Sequence, residues 1–192
     1  MIKRLVSWLN KISSARTVII TLGIFLLFTA LVLPSQARIA EERTGGGDSP
    51  DTSFFYTQDD LFKMAEQYGE EGRQAYVRAR YTFDVIWPLV YLAFLTTGIG
   101  WFGNQLALEN PLLDWAVLVP WLATLFDYLE NAAASLVMAF YPLQLAIPAG
   151  LAPLFTMLKW IFIYSAFALY LIGGVAALLQ KLKNTRKTSP PE

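Results

Sequence analysis

The sequence predicts an all-α membrane protein: a four-helix transmembrane bundle with an amphipathic N-terminal helix and a small helical extracytoplasmic loop. Of its 192 residues, 55% are hydrophobic and only 16% are charged, whereas about 25% are charged in an ordinary soluble domain. Between residues 85 and 180 only five side chains carry charge. Four apolar runs are each close to the roughly 20 helical residues that cross a hydrocarbon core.

Residues 1–16 are predicted to form a cytoplasmic amphipathic helix. Its apolar face carries Ile2, Leu5, Val6, Trp8, Leu9 and Ile12 at helical spacing, opposite basic and polar side chains. Such a helix either lies flat on an anionic leaflet or only supplies the positive flank of the first span. The sequence leaves both interpretations open.

The first span is predicted at residues 17–34 and ends at Pro34. The basic segment, the apolar run and the small residues around Gln36 also fit a cleavable signal peptide. Because the basic segment is long and itself amphipathic, we expect a retained helix.

Residues 35–80 form the only sizeable polar region, the predicted extracytoplasmic loop. Three glycines at 45–47 are typical of a flexible linker. Thr57 and Asp60 have capping-box spacing, and a short helix with one apolar face follows. Gly69 and Gly72 are expected to bracket a turn before the chain enters the second span.

The other spans are predicted at residues 83–102, 112–140 and 151–180, followed by a cytoplasmic tail at 181–192. Pro120 should kink the third span. Lysine and arginine cluster before the first span and after the fourth, and the loop between the third and fourth has neither. The positive-inside rule therefore places both termini in the cytoplasm of a multi-pass protein.

Composition excludes several kinds of chemistry. The chain has no cysteine and no histidine, which removes Cys/His zinc sites, thiol catalysis, His-ligated haem and Ser-His-Asp triads. Net charge is zero and no basic patch is interleaved with aromatics, so nucleic acid is not an expected partner. No cofactor and no metal site are predicted.

The candidate site lies on the third span. Asp127, Glu130 and Asn131 are spaced i, i+3 and i+4 and share one helix face, where ionisable groups are costly in a membrane. Lys159 of the fourth span falls at the depth of Glu130, so an ion pair is predicted, with Tyr91 of the second span near enough to donate a hydrogen bond. This cluster is either polar glue between helices or a ligand site.

Two further hypotheses concern the outer half of the bundle. Arg78, Arg80 and Asp84 lie where the second span begins, and fit either an Arg–Asp interface pair or an anionic head-group site. We also expect a cavity beside Asp127, lined by all five residues of the candidate site, opened by the Pro120 kink and roofed by the helix at residues 61–68.

Several of these residues belong to a longer pattern along the chain. The sequence YGEEGRQAY at 68–76 is followed by Asp84, Pro88, Tyr91, the motif D-x-x-E-N at 127–131, Tyr141-Pro142 and Lys159. This order resembles a pattern in small four-span bacterial membrane proteins of unassigned function. The resemblance implies the bacterial inner membrane, and it carries over no activity. The layout is also loosely similar to the sterol-isomerase and sigma-2-receptor superfamily, but the isomerases' histidine is absent.

The predicted function is a non-enzymatic binding protein or accessory subunit of a membrane complex. Its expected partners are the bilayer, a lipid or other apolar ligand, and other membrane proteins. Two alternatives stay open: a small proton-coupled carrier, and a membrane enzyme acting on a lipid with Asp127 or Glu130 as acid/base.

Overall fold

The computed structural model of the chain describes residues 1–46, 48–106 and 114–188, which form helices and turns and contain no strand. The helices are α1 (Ile2–Ile12), α2 (Ala15–Leu27), α3 (Leu33–Thr44), α4 (Gln58–Gln67), α5 (Gly69–Arg80), α6 (Phe83–Leu106), α7 (Val119–Phe140) and α8 (Ala146–Thr188). A π-helical turn, Phe28–Val32, joins α2 to α3, and short 3₁₀ turns lie at Pro50–Thr52 and Trp115–Leu118.

Three helical stretches of the described chain are long and apolar enough to cross a membrane: Ala15–Thr44, Gly69–Leu106 and Ala146–Thr185. They indicate a membrane protein. Helix α7, the predicted third span, has 22 residues but is not among them. Its polar residues Asp127, Glu130 and Asn131 lower its mean hydropathy, although all three face the protein interior.

The first span is longer than predicted, because the helix does not end at Pro34. The π-helical turn shifts the hydrogen-bond register just before the proline, and Pro34 occupies the first turn of α3, where its missing N–H needs no acceptor. The helix ends at Gly45, whose φ of 74° gives the left-handed cap that glycine adopts without strain.

Helix α1 matches the predicted amphipathic helix, Ile2–Ile12. Val6 and Leu9 are buried against α6, and Asn104 of α6 donates a 2.8 Å hydrogen bond to the Asn10 carbonyl. Trp8 stays 54% exposed on the neighbouring face. The apolar face therefore divides between the protein and its surroundings.

The bundle is organised around the antiparallel pair α7 and α8, which make the most extensive contacts. Helix α6 packs on both, and α2 packs on α6. Helix α1 lies at one end, called here the α1 end. Helices α3, α4 and α5 and the segment joining α3 to α4 lie at the other, called the loop end.

The loop end contains the predicted short helix, α4. The capping box is confirmed, since Thr57 and Asp60 each accept from the other's backbone N–H. The expected turn occurs at Gly69, which has a φ of 61°, but Gly72 lies inside α5. Buried Leu61, Met64 and Ala65 pack α4 onto α7 and α8.

The two helices predicted as the third and fourth spans differ from prediction at their starts. Pro120 lies in the first turn of α7 rather than inside it, so a change from 3₁₀ to α-helix replaces the expected kink. Helix α8 begins at Ala146 instead of 151 and has 43 residues, about 65 Å at 1.5 Å per residue. The predicted start at residue 112 and the end of the tail lie outside the described residues.

Candidate functional site

The polar stripe of α7 is buried, as its spacing predicts. Asp127, Glu130 and Asn131 are 7%, 0% and 5% exposed. Tyr91 of α6 donates a 2.9 Å hydrogen bond to Asp127 Oδ2, and Asn131 donates one of 3.1 Å to Asp127 Oδ1. Lys159 of α8 forms an ion pair with Glu130. The predicted Glu130–Lys159 pair is therefore present, whereas the hydrogen bond predicted from Tyr91 goes to Asp127 rather than to that pair.

This ion pair is one link in a longer chain of charges. Arg80 lies 2.8 Å from Asp84 one turn later in the sequence, and also contacts Asp51 in the segment between α3 and α4. Lys159 Nζ lies 3.5 Å from the other oxygen of Asp51. The order Asp84–Arg80–Asp51–Lys159–Glu130 alternates in sign and connects α6, α5, the segment and α8 to α7.

The three residues predicted at the start of the second span, Arg78, Arg80 and Asp84, differ in their burial and contacts. Arg80 and Asp84 form the ion pair that sequence reasoning offered as one account of them, and both are buried. Arg78 is exposed, and its carbonyl accepts a hydrogen bond from Thr82. Because α5 turns 100° per residue, residues 78 and 80 point to different sides.

Asp51 is the site residue that sequence reasoning missed. It follows the glycine linker and Pro50 in a region that reads as a flexible loop. No spacing rule relates position 51 to positions 80 and 159, since only the tertiary fold brings them together. The Trp160 indole N–H donates to the Ser53 carbonyl at 3.1 Å and fixes the same segment on α8.

A cavity of about 560 Å³ lies beside the charge chain at the loop end. Its apolar walls come from α2, α3, α6 and α8, and the segment after α3 covers it. The lining residues that matter here are Phe25, Leu33, Ala40, Phe83, Trp87, Trp160, Ile163 and Phe167, with polar Asp51, Arg80, Asp84, Tyr91, Asp127 and Lys159.

The cavity has an open side. Neither α2 nor α3 packs extensively against α8. The rings of Phe25 and Phe167, 6.1 Å apart, close the gap between α2 and α8 toward the α1 end. Beyond those rings, residues of α3 and of α8 line the same cavity although the two helices do not pack extensively on each other.

The predicted lining is partly right. Tyr91, Asp127 and Lys159 line the cavity, whereas Glu130 and Asn131 do not. The predicted roof is wrong, because residues 61–68 cover α7 and α8 on another side. The roof is formed instead by α3 and the segment that contains Asp51, and no residue near Pro120 reaches the cavity.

Glu130 lies near two buried hydroxyl groups, those of Tyr56 and Thr156. The Tyr56 hydroxyl lies 3.1 Å from Thr156 Oγ1, and both residues are buried. Burial raises the pKa of Tyr56, with a further contribution from the negative charge of Glu130, so this phenol is neutral at physiological pH. Glu130 is fully buried and does not line the cavity, unlike Asp127.

Taken together, the all-helical fold, the three long apolar helices and the buried polar cluster define a helical membrane protein with an internal polar site. In the ranges that the structure describes, no group of three or more acidic side chains is arranged to hold a metal ion. Comparison with known proteins gives no match: no family model, curated protein or solved structure is significantly similar to this chain.

Proposed function

We propose that this chain is a four-span protein of the bacterial inner membrane, with both termini in the cytoplasm, that binds an amphipathic ligand in the cavity at the loop end. It acts as a binding or accessory protein rather than as an enzyme. The observation that carries the proposal is the cavity of about 560 Å³ with apolar walls and one charged side.

The size and chemistry of the cavity support a small-ligand site. Such sites usually enclose about 300–1,000 Å³ and combine apolar walls with a few convergent polar groups. Here the apolar side chains of Phe25, Ile163 and Phe167 and the charged side chains of Arg80, Asp84 and Asp127 line one cavity. That combination suits a molecule with an apolar tail and a polar head.

The position of the opening supports a ligand that comes from the membrane. The cavity lies between α3 and α8, which do not pack extensively on each other and belong to two of the stretches apolar enough to cross a bilayer. Exposed Leu31 and Leu154 lie on these stretches and suit contact with lipid. A lipid or other apolar molecule would enter sideways, without crossing the polar segment above.

Ligand binding is tested on the full chain purified in a neutral detergent. Ala40 lines the cavity from α3, whereas its neighbour Ile39 does not. Native mass spectrometry should detect a bound amphiphile, and Ala40→Trp should reduce its occupancy about tenfold, because the new side chain fills the space. The control Ile39→Trp should keep it. Equal occupancy in both variants, or no bound mass at all, would leave only a scaffolding role.

The four-span topology has separate support. Helix α7 has 22 residues, about 33 Å at 1.5 Å per residue, and its costly side chains are buried among other helices. It is antiparallel to α8, which it joins through a turn of a few residues. If α8 crosses the bilayer, α7 must cross it in the opposite direction.

The topology is tested by cysteine labelling, since the chain has no native cysteine. In intact cells a membrane-impermeant thiol reagent should label Gly46→Cys and Ala146→Cys. It should label Ser7→Cys and Lys183→Cys only after permeabilisation. Labelling of Lys183→Cys in intact cells would contradict an even number of spans with both termini inside.

A further inference from the structure

The charges around the cavity do not balance. Four carboxylates beside the cavity are buried or half-buried, those of Asp51, Asp84, Asp127 and Glu130, and they are accompanied by the two cations Arg80 and Lys159. All of these except Asp127 belong to the charge chain, and a fifth cavity carboxylate, Glu41, is exposed. Four carboxylates against two cations leave two negative charges in excess. A buried excess of this kind is costly in a membrane protein unless protonation of an acid, a hydrogen-bond network or a bound cation relieves it.

Both cations are already engaged. Arg80 contacts Asp51 and Asp84, and Lys159 contacts Glu130 and Asp51. Each cation is therefore already neutralised by carboxylates, although Arg80 Nε has no hydrogen-bond partner in the described structure. A phosphate or carboxylate placed in the cavity would also face four acidic side chains, those of Glu41, Asp51, Asp84 and Asp127. An anionic ligand is therefore disfavoured.

Asp127 is the carboxylate without a cation. It is only 7% exposed and lines the cavity, and its hydrogen bonds come from the neutral groups of Tyr91 and Asn131. No lysine or arginine of the described chain lies within ion-pair distance of it. Its two donors hold the carboxylate in place at the polar end of the cavity.

Aromatic rings stand beside this carboxylate. Trp87 packs edge-on against Tyr91 with centroids 6.0 Å apart, and both line the cavity together with Phe83 and Trp160. The faces of tryptophan and tyrosine attract ammonium groups by about 0.5–2 kcal/mol, more when the cation is desolvated. Carboxylates and aromatic faces together form a favourable environment for an organic cation.

We infer that the ligand carries a positively charged head: a long-chain amine or an amine-headed lipid, with its ammonium near Asp127 and Asp84. Its apolar chain lies along Phe25, Ile163 and Phe167 toward the open side. This inference rests on the proposed binding function and adds the charge of the head group to it.

The test compares three probes of equal chain length on the full protein in a neutral detergent: hexadecylamine, hexadecanol and palmitate. Affinity is measured by native mass spectrometry and by the shift in melting temperature. At neutral pH hexadecylamine should bind about tenfold more tightly than hexadecanol, a difference of about 1.4 kcal/mol. Palmitate should bind most weakly.

Two variants test whether the preference for hexadecylamine over hexadecanol arises in the cavity. Asp127→Asn keeps the shape and an acceptor for Tyr91 but removes the charge, and should abolish the preference for the amine while hexadecanol binding is retained. Glu66→Gln removes an exposed acid of α4 that does not line the cavity, and should leave all affinities unchanged.

The outcomes separate the two proposals. If no probe binds the wild-type chain, the binding function itself fails. If hexadecanol or palmitate binds as well as the amine, the cationic head is wrong and the cavity proposal stands. If Asp127→Asn keeps the amine preference, the placement of the head group at Asp127 is wrong. The wild-type comparison decides the question even if Asp127→Asn does not fold.

Discussion

The two ends of this bundle are held together in different ways. At the α1 end, rings pack closely on small residues: Tyr170 of α8 lies against Gly98 of α6, with Phe94 and Phe102 at centroid distances of 4.7 Å and 5.2 Å. At the loop end, the helices are joined by the alternating charges from Asp84 to Glu130, and a cavity remains between them.

The difference indicates where function is located. Close packing of rings on glycine depends on shape and leaves no room for a second molecule. Ion pairs around a cavity are a costly way to join helices, because each buried charge must be desolvated. A protein that needed only rigidity could repeat the α1-end packing throughout, so the loop end is the part that suits a ligand.

The largest effect should come from breaking the Glu130–Lys159 pair. Glu130 is fully buried, and removing one partner of a buried pair typically costs about 3–5 kcal/mol because the other charge is left alone. Glu130→Gln and Lys159→Met should each lower the melting temperature of the purified protein strongly. The double variant should recover part of the loss.

The double-variant cycle gives the decisive measurement for that pair. Strictly additive losses of stability would mean that the two side chains do not stabilise each other. The pair would then contribute nothing to the stability of the loop end. A coupling energy of about 1 kcal/mol or more would support the comparison between the ends.

A smaller but still clear effect is expected at the α1 end. A Cβ on Gly98 would overlap the ring of Tyr170, whereas a Cβ on Gly103, in the same helix, would meet nothing within 4 Å. Gly98→Ala should therefore destabilise the protein by about 1–3 kcal/mol through overpacking. Gly103→Ala should be neutral or stabilising by up to about 1 kcal/mol, since alanine favours helix.

The melting temperatures of the two glycine variants check this prediction directly. If Gly98→Ala were as stable as Gly103→Ala, the α1 end would be loosely packed, and the contrast between the two ends would disappear. Amine binding at the distant cavity should be unaffected in both variants.

The smallest effect concerns the cap of α4 at the loop end. Thr57→Ala should cost about 1 kcal/mol, the usual value for loss of an N-cap. The hydrogen bonds from the Thr57 side chain and backbone hold the pKa of Asp60 below its ordinary value of 3.8. Asp60 thus stabilises the cap above about pH 4, and this contribution is lost as the pH falls through the lowered pKa.

Hydrogen exchange of the first-turn amides of α4 measures that cap locally. Protection in the wild type should exceed that in Asp60→Ala at neutral pH, and this difference in protection should disappear as the solution is acidified below pH 4. A difference that is constant with pH would mean that the Asp60 charge plays no part in the cap.

Much of the architecture was predictable because membranes and helix ends impose local rules. The amphipathic α1, the Thr57–Asp60 cap and the positions of the apolar runs follow from composition and spacing. The Glu130–Lys159 contact was also accessible, because two antiparallel spans of known length place residues at calculable depths. The prediction that the first helix ends at Pro34 was wrong, because a π-helical turn before the proline allows the helix to continue past it.

The sequence by itself determined that the chain is helical and membrane-like, and that the polar residues of α7 face inward, because these properties depend on neighbours within a few turns. Only the tertiary structure decided that Asp51 joins Arg80 to Lys159, that α3 rather than α4 covers the cavity, and that Asp127 faces it while Glu130 is packed behind Lys159. These outcomes depend on how a loop folds back over three helices, and contacts between residues about 30 to 110 positions apart leave no periodic signal in the chain.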